Sequence, residues 1–380
     1  MSTNPRIYLD FNATAPLGAD VRAAMTRVIA DTGNPSSIHA EGRRARDHIE
    51  RARDQVAGLL GRPREQVVFT SGGTEGNALG VLALALVAEQ RGLPRVVAAA
   101  AIDHPSLRGA VAALVSRGWR SAPITVTAEG GLAVGALAGV GLVTIAAVNH
   151  ELGTIADPQL VAAARAAGAL VHVDAVQAAG KQALAGLDAD AIVISAHKLG
   201  GPQGVGALAI SHDGGLPLIE AGHQERGRRP GTENLLGIVG LGAAAARAGA
   251  VPWEAVTALG ERLEAGLRTI DGVRIHGAGT PRIGGTINAG FAGARGESIV
   301  IALDLAGIAA STGAACTSGS VQPSPVLLAL GLAPQQAREA VRFSLGLSTT
   351  TEEVDAVLER LPAIVARARR YQAVAAATGA

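Results

Sequence analysis

Three features of the sequence predict an α/β chain with a largely parallel, doubly wound sheet and a smaller α+β region behind it. Short β-branched runs alternate with longer Ala/Leu-rich runs of helical period, the pattern of repeated βαβ units. Glycine-rich steps lead from strand into helix, as in Thr70-Ser71-Gly72-Gly73-Thr74. After the Gly/Arg-rich stretch Gly222–Thr232 the texture changes to helices followed by isolated strands.

Taken in order, strands are predicted at Val67–Thr70, Arg95–Ala100, Leu142–Val148, Leu170–Asp174, Ala191–Ser195 and Val205–Ile210. Helices are predicted between them at Thr74–Arg91, Ser106–Arg117 and Pro158–Ala167. Helices at Leu235–Ala248 and Pro252–Ile270 follow, the second linking the two regions. The smaller region has strands near Gly285–Ala289 and Val341–Leu345 and ends in a helix over Thr351–Tyr371. No repeat or low-complexity linker interrupts the chain.

With 380 residues, 48% of them apolar but only 2% aromatic, the chain can bury a large core built from Ala, Val, Leu and Ile. Lys plus Arg number 33 and Asp plus Glu 32. This balance offers no electrostatic footprint for nucleic acid or an anionic membrane. The apolar stretch Ala78–Ala88 is too short to span a bilayer. Met1–Asp10 has no apolar signal core, so a cytoplasmic protein is expected.

Two rarities carry the chemistry. Only two lysines occur, Lys181 and Lys198, the other basic residues being arginines. Arginine serves for solubility and salt bridges but cannot form a Schiff base, so a surviving lysine suggests amine chemistry. For Lys181 taken alone, chance retention is the reading. The single cysteine, Cys316, excludes an internal disulfide and a multi-cysteine metal site, and no metal is expected. It leaves a buried thiol or a reactive nucleophile. Ser311–Ser320, small and polar throughout, reads as a loop, which favours the reactive alternative.

The turn Thr70–Glu75 aims free N–H groups and a positive helix end at an anion, with Ser71 and Thr74 hydroxyls nearby. No Lys-Ser/Thr follows the glycines, so it is not a nucleotide P-loop; an ordinary strand–helix turn is the alternative. Asp174 closes the apolar strand Val171-His172-Val173-Asp174, where α/β sheets place ligands. It is either a helix cap or the partner of a protonated pyridine nitrogen. Lys198 follows the apolar strand Ile192–Ser195 directly, in Ser195-Ala196-His197-Lys198, where burial would lower its amine towards the free base. Ser195 and His197 could add phosphate contacts. His104, opening a helix before Pro105, could stack on a ring and shuttle protons. Arg342, inside the apolar strand Val341–Ser344, suits a substrate carboxylate or a protein one.

Together these segments resemble the cysteine desulfurases of the class V aminotransferase family, NifS-like enzymes that supply sulfur for iron–sulfur clusters. The likeness runs from Tyr8-Leu9-Asp10 and Gly33-Asn34-Pro35-Ser36 to the final helix, with Cys316-Thr317-Ser318 matching the longer-loop branch. It implies fold type I of the pyridoxal 5′-phosphate (PLP) enzymes: a mostly parallel seven-stranded sheet in a large domain, 13–255, and a smaller α+β domain from 1–12 and 256–380 that carries the cysteine loop. It implies PLP as cofactor, held by Gly73, Thr74, His150, Asp174, Gln177, Ser195, His197 and Lys198. Thr232 of Gln224–Thr232 is implied to reach the phosphate of the partner subunit in a homodimer. Asn34 and Arg342 are implied to bind the substrate, L-cysteine.

The implied reaction has substrate cysteine displace Lys198 from PLP while Asp174 keeps the ring nitrogen protonated and His104 and Lys198 move protons. The Cys316 thiolate then takes the sulfur as a persulfide, an enamine becomes alanine, and the sulfur passes to an acceptor such as an iron–sulfur scaffold. One departure stands out: in Val148-Asn149-His150-Glu151 the family usually has asparagine where His150 stands, bonded to the phenolic oxygen of the cofactor. His150 is expected to take that role and to change the pH dependence of the Schiff base. The tail also reads as shorter than in relatives that dock a cluster scaffold there. A selenocysteine lyase or another class V lyase or transaminase is the runner-up. The S-x-x-K of Ser195–Lys198 also fits serine β-lactamases, but their S-D-N and K-T-G companions are missing.

Overall fold

The computed structural model describes residues 6–211, 221–313 and 322–378. Strand β1 (Ile7–Tyr8) and helices α1 (Ala19–Val28) and α2 (Ala40–Leu60) open the chain. The sheet-forming stretch then runs β2 (Val67–Thr70), α3 (Gly73–Gln90), β3 (Val96–Ala100), α4 (Pro105–Val115) and β4 (Arg120–Ile124). It continues with β5 (Leu142–Ala146), α5 (Pro158–Ala166), β6 (Leu170–Asp174), β7 (Ala191–Ser195) and β8 (Gly206–Ile210). Helices α6 (Leu235–Ala248) and α7 (Glu254–Leu267) lead away.

The seven strands order as β2-β8-β7-β6-β5-β3-β4. From β7 to β4 every pairing is parallel, while β8 runs against both β7 and β2. The sequence reading of a mostly parallel sheet therefore holds, and β2, β6 and β7 match the predicted bounds residue for residue. Strand β4 escaped it. Its first four residues are polar, small or Pro123 and stay largely exposed, because an edge strand has no second neighbour to demand apolar runs. Helix α2 escaped it too, since its charged face outweighs the stripe Ala45, Ile49, Ala52, Val56, Leu60 that it buries.

Helix α3 is apolar on nearly all sides and lies between the sheet and α4. Its approach to the sheet depends on glycine. A Cβ on Gly76 would come 2.7 Å from Val193, and one on Gly80 2.8 Å from the His172 ring. With Gly73 facing Val176, these positions form a stripe of i, i+3, i+7 spacing that lets backbone meet strand directly. The result is an α3 N-terminus pressed against the carboxyl ends of β6 and β7. On the opposite face α2 and α6 cover the sheet and complete the main core with Ile49, Val56, Ile238 and Leu241.

The remaining elements are β9 (Val273–His276), β10 (Thr286–Phe291), α8 (Gly296–Leu305), β11 (Ile308–Ala309), α9 (Pro325–Ala329), α10 (Pro334–Arg338), β12 (Ala340–Ser344) and α11 (Thr351–Thr378). Strands β12-β10-β9 form an antiparallel sheet, and β1 pairs with β11. A second core gathers around Phe291 and Phe343, both fully buried. Each such ring removed from water contributes about 1.5–3 kcal/mol. The chain start belongs with this core through Ile7 and Leu9, and the bridge Asp10–Ser344 brings residues 10–13 over the carboxyl end of the large sheet. Among the described residues no helix is long and apolar enough to cross a membrane.

Candidate active site

Strands β6 and β7 end side by side on Asp174 and Ser195, and a single helical turn, Ala196–Lys198, carries Lys198 back over the strand ends. Together with the α3 N-terminus they border a cavity of about 580 Å³. Its lining includes Gly73, Thr74, His104, His150, Asp174, Gln177, Ser195, His197, Lys198 and Arg342. These positions span from Gly73 to Arg342 in sequence, and only the fold brings them to one wall.

Asp174 is buried, and its carboxylate accepts from the Val176 N–H at 2.9 Å and from Asn77 Nδ2 at 2.8 Å. Burial raises its pKa, opposed by those two donors and by His104 and Lys198. Asn77 gives its other N–H to Ser106 Oγ at 2.9 Å, and Ser106 Oγ lies 2.8 Å from His104 Nδ1. A chain of hydrogen bonds thus links Asp174 to His104. The Ser106 backbone N–H donates to the same Nδ1, so the neutral His104 ring carries its proton on Nε2. Burial lowers the His104 pKa, with Asp174 pulling the other way. The His150 ring meets His104 edge to face at 5.1 Å, and burial, followed by His104, Arg342 and Lys198, holds it well below the usual imidazole range.

Lys198 Nζ donates to the backbone oxygens of Asn12 at 2.5 Å and Ala13 at 2.7 Å. Burial, aided by Arg342, pushes its pKa down to about 8, against Asp10 and Asp174. Arg342 reaches Asp10 Oδ1 at 2.8 Å and the His150 carbonyl at 3.0 Å. Its third nitrogen, Nε, is buried without a hydrogen-bond partner among the described residues. A protein carboxylate and a backbone carbonyl therefore already engage this guanidinium, which still lines the cavity.

The model of the aminotransferase class-V family matches residues 7–357 of the sequence. The chain belongs to that family. Over 377 residues it is 40% identical to the cysteine desulfurase of Enterobacter agglomerans, covering 96% of this chain and 93% of the relative. Cysteine desulfurase 2 of Trichormus variabilis is also 40% identical, over 376 residues, covering 96% and 94%. Among solved structures, one titled NifS-like protein superposes with a TM-score of 0.87 at 32% identity, covering 95% of this chain and all of that one.

Class-V aminotransferases are PLP enzymes of fold type I, and the residues of this member fit the group. The buried Asp174 carboxylate has two neutral N–H donors, which leaves its ion-pair position to a cation such as a protonated pyridine nitrogen. At the α3 N-terminus Gly72, with φ 155° and ψ −174°, adopts a backbone open in practice only to glycine, and Gly73 and Thr74 face the cavity. Glu75, in the same first turn, is turned away to the Ser71 N–H and Arg229 and does not occupy the anion position.

Two expected residues of this class-V aminotransferase stand elsewhere. Asn34 and Thr232 are exposed and outside the cavity lining. Cys316 lies outside the described residues, although Gly313 and Gln322 on either side of its segment both line the cavity. Sequence reasoning missed Asn12, Asn77, Asp103, Ser106 and Glu151, which also line it. The one usable signal was polarity inside apolar segments, as at Asn77 amid the Ala/Leu run of α3. Asp103 is fully enclosed, accepting from the Ala100 and Ala146 N–H groups, and burial raises it to about 7. Lys181, read from sequence as a chance retention, is hydrogen-bonded to Asn12 and Gln177 beside the cavity.

Proposed function

We propose that this chain is a PLP-dependent cysteine desulfurase that converts L-cysteine to L-alanine and passes the sulfur through Cys316 to an acceptor protein. The observation that carries the reading is the convergence of Lys198 and Asp174 on one cavity in a chain 40% identical to cysteine desulfurase over 96% of its length. Lys198 would hold the cofactor aldehyde, Asp174 would pair with the pyridine nitrogen, and Gly73, Thr74, Ser195 and His197 would hold the phosphate. When bound, PLP supplies the electron sink that the protein's own side chains lack.

The rest belongs to the chain. Lys198, titrating near neutrality, can hold or release a proton at Nζ, and the carbonyls of Asn12 and Ala13 orient it. His104, neutral with its proton on Nε2, is the second proton carrier at the cavity wall. Arg342, which lines the cavity, takes the substrate carboxylate through its planar guanidinium. His150 and Gln177, which line the cavity, would bond the phenolic oxygen of the ring. The Cys316 thiolate attacks the substrate sulfur and takes it as a persulfide as the substrate Cβ–S bond breaks, the electron pair of that bond staying with the carbon fragment that is protonated to alanine; the cavity-lining residues on both sides of the Cys316 segment support this role.

Residues 13–255 form the cofactor unit, and 1–12 with 256–380 the smaller unit that carries the cysteine. The working form is a homodimer, a reading supported by Thr232 being exposed and outside the lining of its own cavity. The acceptor is a sulfur-accepting protein such as an iron–sulfur scaffold, and the setting is cytoplasmic.

Incubation of the purified holoenzyme with L-cysteine tests the reading. It should release alanine and add one sulfur to the peptide containing Cys316, as read by mass spectrometry. Borohydride reduction should fix PLP on Lys198. Cysteine consumption without alanine, or the cofactor fixed on another residue, would refute it.

A further inference from the structure

The second lysine of the chain is built into the cofactor site from behind. Lys181 Nζ donates to Gln177 Oε1 at 3.0 Å and to Asn12 Oδ1 at 3.2 Å, and sits 5.5 Å from the centre of the Trp253 ring. Gln177 Nε2 in turn donates to the Asn12 backbone oxygen at 2.9 Å, the same oxygen that accepts from Lys198. Asn12 Nδ2 donates to Thr286 Oγ1 and the His150 carbonyl. One amine therefore holds the oxygen end of two amides whose NH₂ ends donate to backbone carbonyls. Turning over either amide would set an NH₂ group against the Lys181 amine and an amide oxygen against a backbone carbonyl, that of Asn12 for Gln177 and that of His150 for Asn12.

The charges acting on Lys181 are Lys198 and Arg342, both positive, and Arg247 borders the same space. With burial as the larger cause they bring its amine down to about 7. Loss of the proton does not dissolve the arrangement, because a neutral amine retains two N–H groups for the two carbonyls it holds. The side chain also borders a second cavity of about 410 Å³, which Lys198 lines as well.

We propose that Lys181 is a positioning residue of the cofactor site. By holding the side-chain oxygens of Gln177 and Asn12, it presents the Gln177 NH₂ to the cofactor cavity and sets the Asn12 carbonyl against Lys198. The inference rests on the PLP reading above and adds to it the residue that orients its inner wall.

Equilibrium dialysis of the purified holoenzyme against graded PLP tests this in a double-mutant cycle of Lys181→Met and Gln177→Ala. Lys181→Met should weaken PLP binding about tenfold, the scale of losing buried charge-assisted hydrogen bonds. In the Gln177→Ala background the same change should cost no more than about twofold, because its intermediary is already gone. Lys181→Arg, for which the second cavity has room, should retain binding within about threefold. Losses that simply multiply in the double variant, or a Lys181→Met protein that binds PLP like the native one, would overturn the inference. Thermal unfolding of each variant separates this from general damage, which would weaken binding equally with and without Gln177. If the native chain itself binds no PLP, the cofactor reading falls, and this inference with it.

Discussion

Replacing Lys198 by methionine should leave the stability of the cofactor-free protein little changed at neutral pH and lower it in alkali. The amine titrates near 8 in the fold and near 10.5 in an unfolded chain. Between these values the unfolded state binds more protons, so stability rises with pH across that window. Below pH 8 the native state carries the full cost of a protonated, buried amine. The gap of roughly 2.5 units corresponds to about 3 kcal/mol, which solvent reaching Nζ through the cavity trims to about 2. Against this, methionine abandons the Asn12 and Ala13 carbonyls, costing about 1 kcal/mol each at any pH. Near pH 7 the two effects roughly cancel, whereas at pH 10.5 only the loss remains. Urea denaturation of apoprotein pairs at both pH values reads the difference directly. A Lys198→Met effect that is the same at pH 7 and pH 10.5 would show that the amine is not depressed, and the argument for a poised free base would fail.

Arg342→Lys should raise KM for L-cysteine about tenfold or more with a smaller change in kcat, because a point charge cannot reproduce the planar fork; steady-state kinetics of alanine release checks it. His150→Asn should move the pH titration of the bound cofactor's visible absorbance, since an imidazole pressed against His104 gives way to an amide without charge states. Superimposable curves would remove His150 from the cofactor's electronic surroundings. Gly76→Ala should destabilise the fold by about 1–3 kcal/mol and weaken PLP binding, because the new methyl lies 2.7 Å from Val193 and must lift α3 off the sheet. Chemical denaturation and dialysis against PLP measure the two effects.

Local pattern was enough to determine much of this protein. Alternating apolar runs and helical stretches placed β2, β6 and β7, and the functional ends Asp174 and Lys198 were legible because a charged residue closing an apolar strand is conspicuous within a few positions. The scarcity of lysine drew attention to Lys198, because arginine cannot form a Schiff base. What sequence could not show was who meets whom. Asn12 holds Lys198 from 186 residues away, Arg342 reaches the His150 carbonyl across 192, and Asp10 pairs with Arg342 across 332. No periodicity encodes such pairings, because each arises from two separately folded surfaces closing on one another. Lys181 is the sharpest case. Nothing around Gly180-Lys181 marks it as more than a solubilising charge, and only the packing of Asn12, Gln177 and Trp253 about its amine turns it into part of the site.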